Sequence, residues 1–287
     1  NPNFVVLRCA RTLEKEIFEK IAMFCNIDKD CVIENKTLPF LYEVPLMLEK
    51  QHFAQKVCEK LQIKNKEPDL KEWKEMINKA KHPNKEVCIG IVGKYVKLHD
   101  AYLSIVEALN HGAYQFSTKV KIKWLDAETI NGKNIKTKIK GCDGIIVPGG
   151  FGYRGIEGMI ITAKYCRENN IPYLGICLGM QVAVIEFARN VCGLKKANSH
   201  EFDQKSPYKV INYLPDQNDD IDMGGTLRLG SYECILKSGT HIQKAYGLKK
   251  IKERHRHRYE FNNEYRDCLQ DNGMILSGTS PDKHIVE

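Results

Sequence analysis

No stretch of the 287 residues approaches the roughly 20 consecutive apolar positions that a bilayer-crossing helix requires, so a helical membrane span is excluded. No signal-type segment opens the sequence, and no internal repeat or low-complexity tract interrupts it. Cysteine is plentiful at 11, yet none forms a Cys-x-x-Cys pair or stands at zinc-like spacing from histidine, so neither a redox dithiol nor a metal site is written here. Single cysteines at irregular intervals fit a reducing compartment, and a cytoplasmic location is expected. Acidic residues fall short of basic ones, 36 against 44, leaving a net charge of +8. Such an excess can serve polyanionic partners, but these lysines scatter over helix faces as solvating charges do, and no nucleic-acid partner is expected.

At 43% hydrophobic, the chain can bury one large core or two modest ones. Three stretches are distinguishable. Residues 1–63 alternate strand, helix, strand and helix, with apolar periodicity predicting strands at Phe4–Leu7 and Cys31–Glu34 and helices at Leu13–Cys25 and Leu41–Leu61. Two strands make only the edge of a sheet, and Asn1-Pro2-Asn3 runs straight into the first, so a piece of a longer polypeptide is expected. Residues 64–86 are charged, hold Pro68 and Pro83, and read as a linker carrying a short amphipathic helix around Trp73, Met76 and Ile77. From Val87 to residue 287 the pattern restarts. Strands are predicted at Val87–Val92, Val120–Leu125, Gly144–Val147 and Tyr173–Ile176, with one helix capped by Asp100 and another over Gly158–Asn169. Repeated strand–helix units with apolar strands imply an α/β fold with a mostly parallel, doubly wound sheet, whose ligands gather at the carboxyl ends of the strands.

Two glycine-rich turns fall at such ends. In Gly175-Ile176-Cys177-Leu178-Gly179 a cysteine sits between glycines, preceded by an apolar strand and followed by Val182, Ile185 and Ala188 at helical spacing. This is the order of a nucleophile elbow, in which small flanking residues let a strained turn lift a reactive atom clear of the sheet. A free cysteine is commonly a buried, inert residue. Here the setting places Cys177 at a helix N-terminus, where unpaired N–H groups and the helix dipole favour thiolate over thiol. The second turn, Pro148-Gly149-Gly150-Phe151-Gly152, can present backbone N–H groups to an anion or a developing oxyanion.

Taken with Tyr153-Arg154-Gly155, Met180-Gln181, Gly224-Gly225-Thr226-Leu227-Arg228-Leu229-Gly230 and Glu253-Arg254-His255-Arg256-His257-Arg258-Tyr259, these runs resemble the CTP synthase family. The elbow alone would indicate only the class I glutamine amidotransferases, whose fold is flavodoxin-like. The resemblance spans the chain: residues 1–63 are similar to the C-terminal part of the synthetase (amidoligase) domain, and 87–287 to most of the glutaminase domain. It implies that Cys177 attacks the side-chain amide of glutamine, giving a glutamyl thioester and ammonia. The ammonia aminates UTP that ATP has activated, with Mg²⁺ required, GTP activating the glutaminase and CTP inhibiting by feedback. A cytoplasmic homotetramer is implied for the full-length family members.

Residue by residue, the resemblance makes Cys177 the nucleophile and the N–H groups of Gly150 and Leu178 the oxyanion donors. Gln181, Glu201 and Arg256 match positions that hold glutamine, whose ammonium and carboxylate suit one acid and one arginine. Lys20 matches a lysine that contacts UTP or CTP, and Lys36, Thr37 and Leu38 match a loop beside the ATP base. Arg154 and Arg228 are candidates for GTP, while Arg8 and Arg11 lie near a strand end without an assigned role. No metal ligands are assigned. Strand alternation places Arg254, Arg256 and Arg258 on one face and His255 and His257 on the other.

One element of the family pattern is missing. A cysteine amidotransferase needs a histidine to manage the proton and an acid to orient it, and the family supplies both from a Phe-His-Pro-Glu-like segment that this sequence lacks. His284-Ile285-Val286-Glu287 resembles the strand before that segment, and neither His284 nor Glu287 is taken for the missing pair. The general base is left unassigned, and the chain as given is expected to be incomplete for catalysis. Two other readings stay open: a glutamine- or nucleotide-binding regulatory module that does not hydrolyse, and a class I amidotransferase or cysteine hydrolase for another substrate.

Overall fold

The chain divides into two units, Asn1–Asn84 with Ala113–Thr118, and Lys85–Gly112 with Lys119–Glu287. The computed structural model describes residues 1–213 and 228–286. In the first unit the order is β1 (Val5–Cys9), α1 (Lys15–Cys25), β2 (Val32–Lys36), α2 (Val44–Glu49), α3 (Phe53–Lys60) and α4 (Lys71–Lys81). β1 and β2 run parallel, from Val5 opposite Val32 to Cys9 opposite Lys36. The single helix expected over 41–61 is broken. His52 takes a left-handed φ of 55°, and the Gln51 amide bonds both the N–H and the C=O of Glu34 at 2.9 Å, clasping the break onto β2. α4 buries Ile77, and the Trp73 indole donates to the Tyr42 carbonyl at 2.8 Å, so the charged stretch after residue 63 includes an anchored helix.

The second unit continues with β3 (Lys85–Gly93), α5 (Leu103–Gln115), β4 (Thr118–Asp126), α6 (Ile135–Lys138), β5 (Gly144–Val147), α7 (Ile156–Glu168), β6 (Tyr173–Gly175) and α8 (Leu178–Asn190). Then follow β7 (Ala197–Ser199), β8 (Tyr208–Tyr213), β9 (Arg228–Leu236), α9 (His241–Tyr246), β10 (Lys250–His257), β11 (Tyr259–Phe261), α10 (Arg266–Asp271) and β12 (Gly278–Thr279). The central sheet has the order β4-β3-β5-β6, with β5 parallel to both neighbours. The expected strands are present, with ends shifted slightly. Asp100 is not the expected cap: it lies in a short 3-10 turn, His99–Tyr102, that precedes α5.

Adjacent residues of β3 show why the sheet is covered on both sides. Side chains of a strand alternate between faces. Ile91 is buried with Tyr102, Ile105, Val106 and Leu109, the α5 side. Val92 is buried with Met159, Ile160, Val182 and Ile185, the α7 and α8 side. Burying such an aliphatic side chain is worth roughly 1.5–3 kcal/mol, against about 0–1 kcal/mol for an exposed ion pair. Layer stacking therefore fixes where the strand ends fall. Outside the central sheet, β11-β8-β7 forms one three-stranded sheet and β10-β9-β12 another. β10 and β9 pair antiparallel, with His257 opposite Arg228.

Candidate active site at Cys177

The elbow is built by close approach of backbone to backbone. A Cβ on Gly175 would stand 2.4 Å from the carbonyl of Gly179, and one on Gly179 would stand 2.0 Å from the carbonyl oxygen of Val147. No side chain fits at either position. Between them Cys177 is the N-cap of α8 with φ 56° and ψ −105°, a conformation that costs a non-glycine residue on the order of 1–3 kcal/mol and is found at functional turns. Leu178 is the first residue of that helix, so its N–H has no acceptor within it.

The second glycine turn lies against the first. A Cβ on Gly149 would be 3.8 Å from the Cys177 Sγ, and one on Gly150 would be 3.3 Å from the Leu178 side chain. The turn that holds Gly150 thus packs against the elbow at Cys177 and Leu178. Glu201 reaches the same turn, its Oε1 accepting from the Gly152 N–H at 2.7 Å. Burial raises the Glu201 carboxyl, opposed by that N–H and by Lys94.

Sequence reasoning set His257 aside, and the structure brings it to the centre. The imidazole interacts electrostatically with Cys177, and its Nδ1 lies 3.2 Å from Glu260 Oε1. Arg228 Nη1 stands 3.3 Å from the same oxygen, the Arg228 and Glu260 side chains being 4% and 7% exposed. Burial works against charge on His257, but its interactions with Cys177 and Glu260 outweigh it and hold its pKa up at about 10. The signal that could have found this cluster is His257-x-x-Glu260 at the end of a strand that alternates exposed Arg254 and Arg256 with buried His255.

The remaining expected residues are distributed as follows. Gln181 is buried on α8, its amide donating to the Tyr259 carbonyl at 3.0 Å. Arg256 is exposed on β10. Arg154 pairs with Glu128 at 2.7 Å at the surface, whereas Arg228 is buried against Glu260 and over the Tyr232 ring, 4.6 Å from its centroid. Gly224-Gly225-Thr226-Leu227 and Glu287 lie outside the described residues. In the first unit, Lys36, Thr37 and Leu38 follow the carboxyl end of the parallel pair: Thr37 N–H donates to Cys9 at 2.8 Å, and Lys36 Nζ to Thr12 Oγ1 at 2.9 Å. Lys20 is exposed on α1. Among the described residues no group of three or more His, Cys, Asp or Glu is placed to hold a metal ion, and no helix is long and apolar enough to cross a membrane.

The family model described as glutamine amidotransferase class-I matches residues 97–287, and the solved glutaminase domain of Trypanosoma brucei CTPS, with bound acivicin, superposes with a TM-score of 0.65 at 37% identity over 70% of this chain and 79% of that one. An elbow cysteine flanked by two glycine turns on a doubly wound sheet therefore belongs to a class I glutamine amidotransferase. The model described as CTP synthase N-terminus matches residues 1–63. CTP synthases of Bacillus subtilis and Bacillus velezensis are 52% and 51% identical over 286 residues, all of this chain and 54% of each relative. Within that class the chain is a member of the CTP synthase family. It spans about half the length of those relatives.

Proposed function

We propose that the chain carries the glutaminase site of a CTP synthase and that the longer protein makes CTP from UTP, ATP and glutamine. The observation that carries the reading is the Cys177 sulfur, held at a strained elbow against the Gly149–Gly150 turn, with His257 close enough to interact with it. Cys177 attacks the amide carbon of glutamine, and the electron pair of the C=O bond moves onto oxygen. The N–H groups of Gly150 and Leu178 face that oxyanion, and donors so aimed are each worth about 3 kcal/mol in such reactions. Collapse of the adduct expels ammonia and leaves a glutamyl thioester, which water cleaves to glutamate. The resemblance assigns transfer of the proton between thiol, leaving nitrogen and water to the Phe-His-Pro-Glu-like segment that this sequence lacks, and beside the sulfur His257 supports that transfer as a positive charge. Glu260 orients His257, and Arg228 holds Glu260.

Gln181, Glu201 and Arg256 bind the amino-acid end of glutamine in this reading. Lys20 contacts UTP or CTP, and Lys36, Thr37 and Leu38 border the ATP base. GTP activation, CTP feedback, a homotetramer and a cytoplasmic setting belong to the same proposal. Residues 1–63 form the end of the synthetase domain, 64–86 a linker and 87–287 the glutaminase domain. Mg²⁺ and ATP are bound mainly by the part of the synthetase domain that lies outside this sequence. The test is to incubate the full-length protein with UTP, ATP, Mg²⁺ and glutamine. Equal release of CTP and glutamate supports the reading, while glutamate release with an acceptor other than UTP contradicts it.

A further inference from the structure

Lys94 is the first residue after β3, and its side chain is not a surface lysine: the residue is 5% exposed. Its backbone is pinned by the Tyr102 hydroxyl, which accepts from the N–H groups of Lys94 at 3.1 Å and Tyr95 at 3.2 Å. From there the chain runs beneath the second glycine turn, and a Cβ on Gly150 would lie 3.6 Å from Lys94 Cδ. The ammonium donates to the Phe151 carbonyl at 2.8 Å and also to the Gly152 carbonyl. Gly152 is therefore held on both sides, by Lys94 at its C=O and by Glu201 at its N–H. A buried ammonium without acceptors would be costly, so the turn and the lysine fix each other.

We propose that Lys94 is a positioning residue for the oxyanion turn: with Glu201 it clamps Gly152 and thereby sets the direction of the Gly150 N–H. This rests on the glutaminase reading above and adds a residue that the resemblance does not assign. An N–H aimed at a developing oxyanion acts in the transition state, whereas the bound amino acid is held by Glu201 together with Gln181 and Arg256, neither of which takes part in the clamp. Loosening the clamp therefore lowers kcat for glutamine more than it raises KM. The charged groups facing the ammonium are Glu201, Arg154 and Glu128. Burial, chiefly, draws its pKa down to about 8, against the pull of Glu201. The ammonium is whole below that pH and is lost as pH rises through it, so the clamp slackens on the alkaline side.

The test compares wild-type full-length protein with Lys94→Met and Lys94→Arg by amide hydrogen exchange of the 149–155 segment and by glutamine hydrolysis. Lys94→Met is expected to speed exchange in that segment about 10-fold and to cut kcat by on the order of 10²-fold with KM for glutamine within about threefold. Lys94→Arg restores part of both. Unchanged exchange in Lys94→Met, or losses in kcat and KM of equal size, overturns the proposal. Should Lys94→Met fail to fold, the wild-type segment decides alone: exchange corrected for intrinsic rate accelerates above pH 8 if the clamp exists and stays flat if it does not. A wild-type protein that exchanges as expected but leaves glutamine intact sinks the glutaminase reading and not the clamp.

Discussion

The imidazole of His257, at the end of β10, lies close enough to Cys177, at the start of α8, for the two side chains to interact electrostatically. The two residues come from separate sheets of one unit, and what joins them is the local chemistry of each. A glycine-flanked elbow pushes the sulfur outward, and a strand that ends at His257 turns its last side chain back, with Glu260 and Arg228 behind it.

That contact makes Cys177 the thiol to label. Burial pushes the thiols of Cys142 and Cys192 up to about 11 and that of Cys166 up to about 12, whereas Cys177 sits beside a proton-rich imidazole. A glutamine-like diazo-ketone should alkylate Cys177 first, and His257→Asn should slow the labelling about 10-fold or more. Peptide mapping that found uniform labelling, or a rate indifferent to His257, would count against an activated sulfur.

Two glycine-to-alanine changes should move stability in opposite directions. A Cβ at residue 179 meets the Val147 carbonyl oxygen at 2.0 Å, while one at Gly112, exposed on α5, meets nothing within 4 Å. Gly179→Ala should destabilise by at least about 3 kcal/mol or prevent folding, and Gly112→Ala should stabilise by roughly 0.5–1 kcal/mol. Urea midpoints of the two variants check this, and equal shifts would mean the elbow is looser than described.

His257 also ties stability to pH. Its pKa in the folded chain, about 10, lies above its ordinary 6.5. The contribution is therefore complete below about 6.5 and disappears as pH rises through 10. The stability gap between wild type and His257→Asn should be about 3–5 kcal/mol near pH 6 and should close toward pH 10. A gap that widens with pH would mean that His257 is neutral where it lies.

How far the sequence revealed this depends on how local each feature is. The elbow was legible because the strand, the glycines and the apolar helix that make it are consecutive, and the packing of Gly175 and Gly179 explains why those two residues are glycine. The doubly wound sheet followed from apolar strands alternating with helices. The 41–61 segment misled because periodicity does not register a side-chain clasp such as Gln51 on Glu34. Alternation along β10 put His255 and His257 on one face, but nothing in it named Cys177 as the partner, since that contact depends on how the strand end turns. The buried pairing of Arg228 with Glu260 was not legible for the same reason.

The most direct test replaces the sulfur itself. In the full-length protein, Cys177→Ala should reduce glutamine-dependent CTP formation by at least about 10⁴-fold and leave CTP formation from free ammonia within about twofold of wild type. Loss of both activities together, or survival of the glutamine-dependent one, would contradict Cys177 as the nucleophile of a separate glutaminase site.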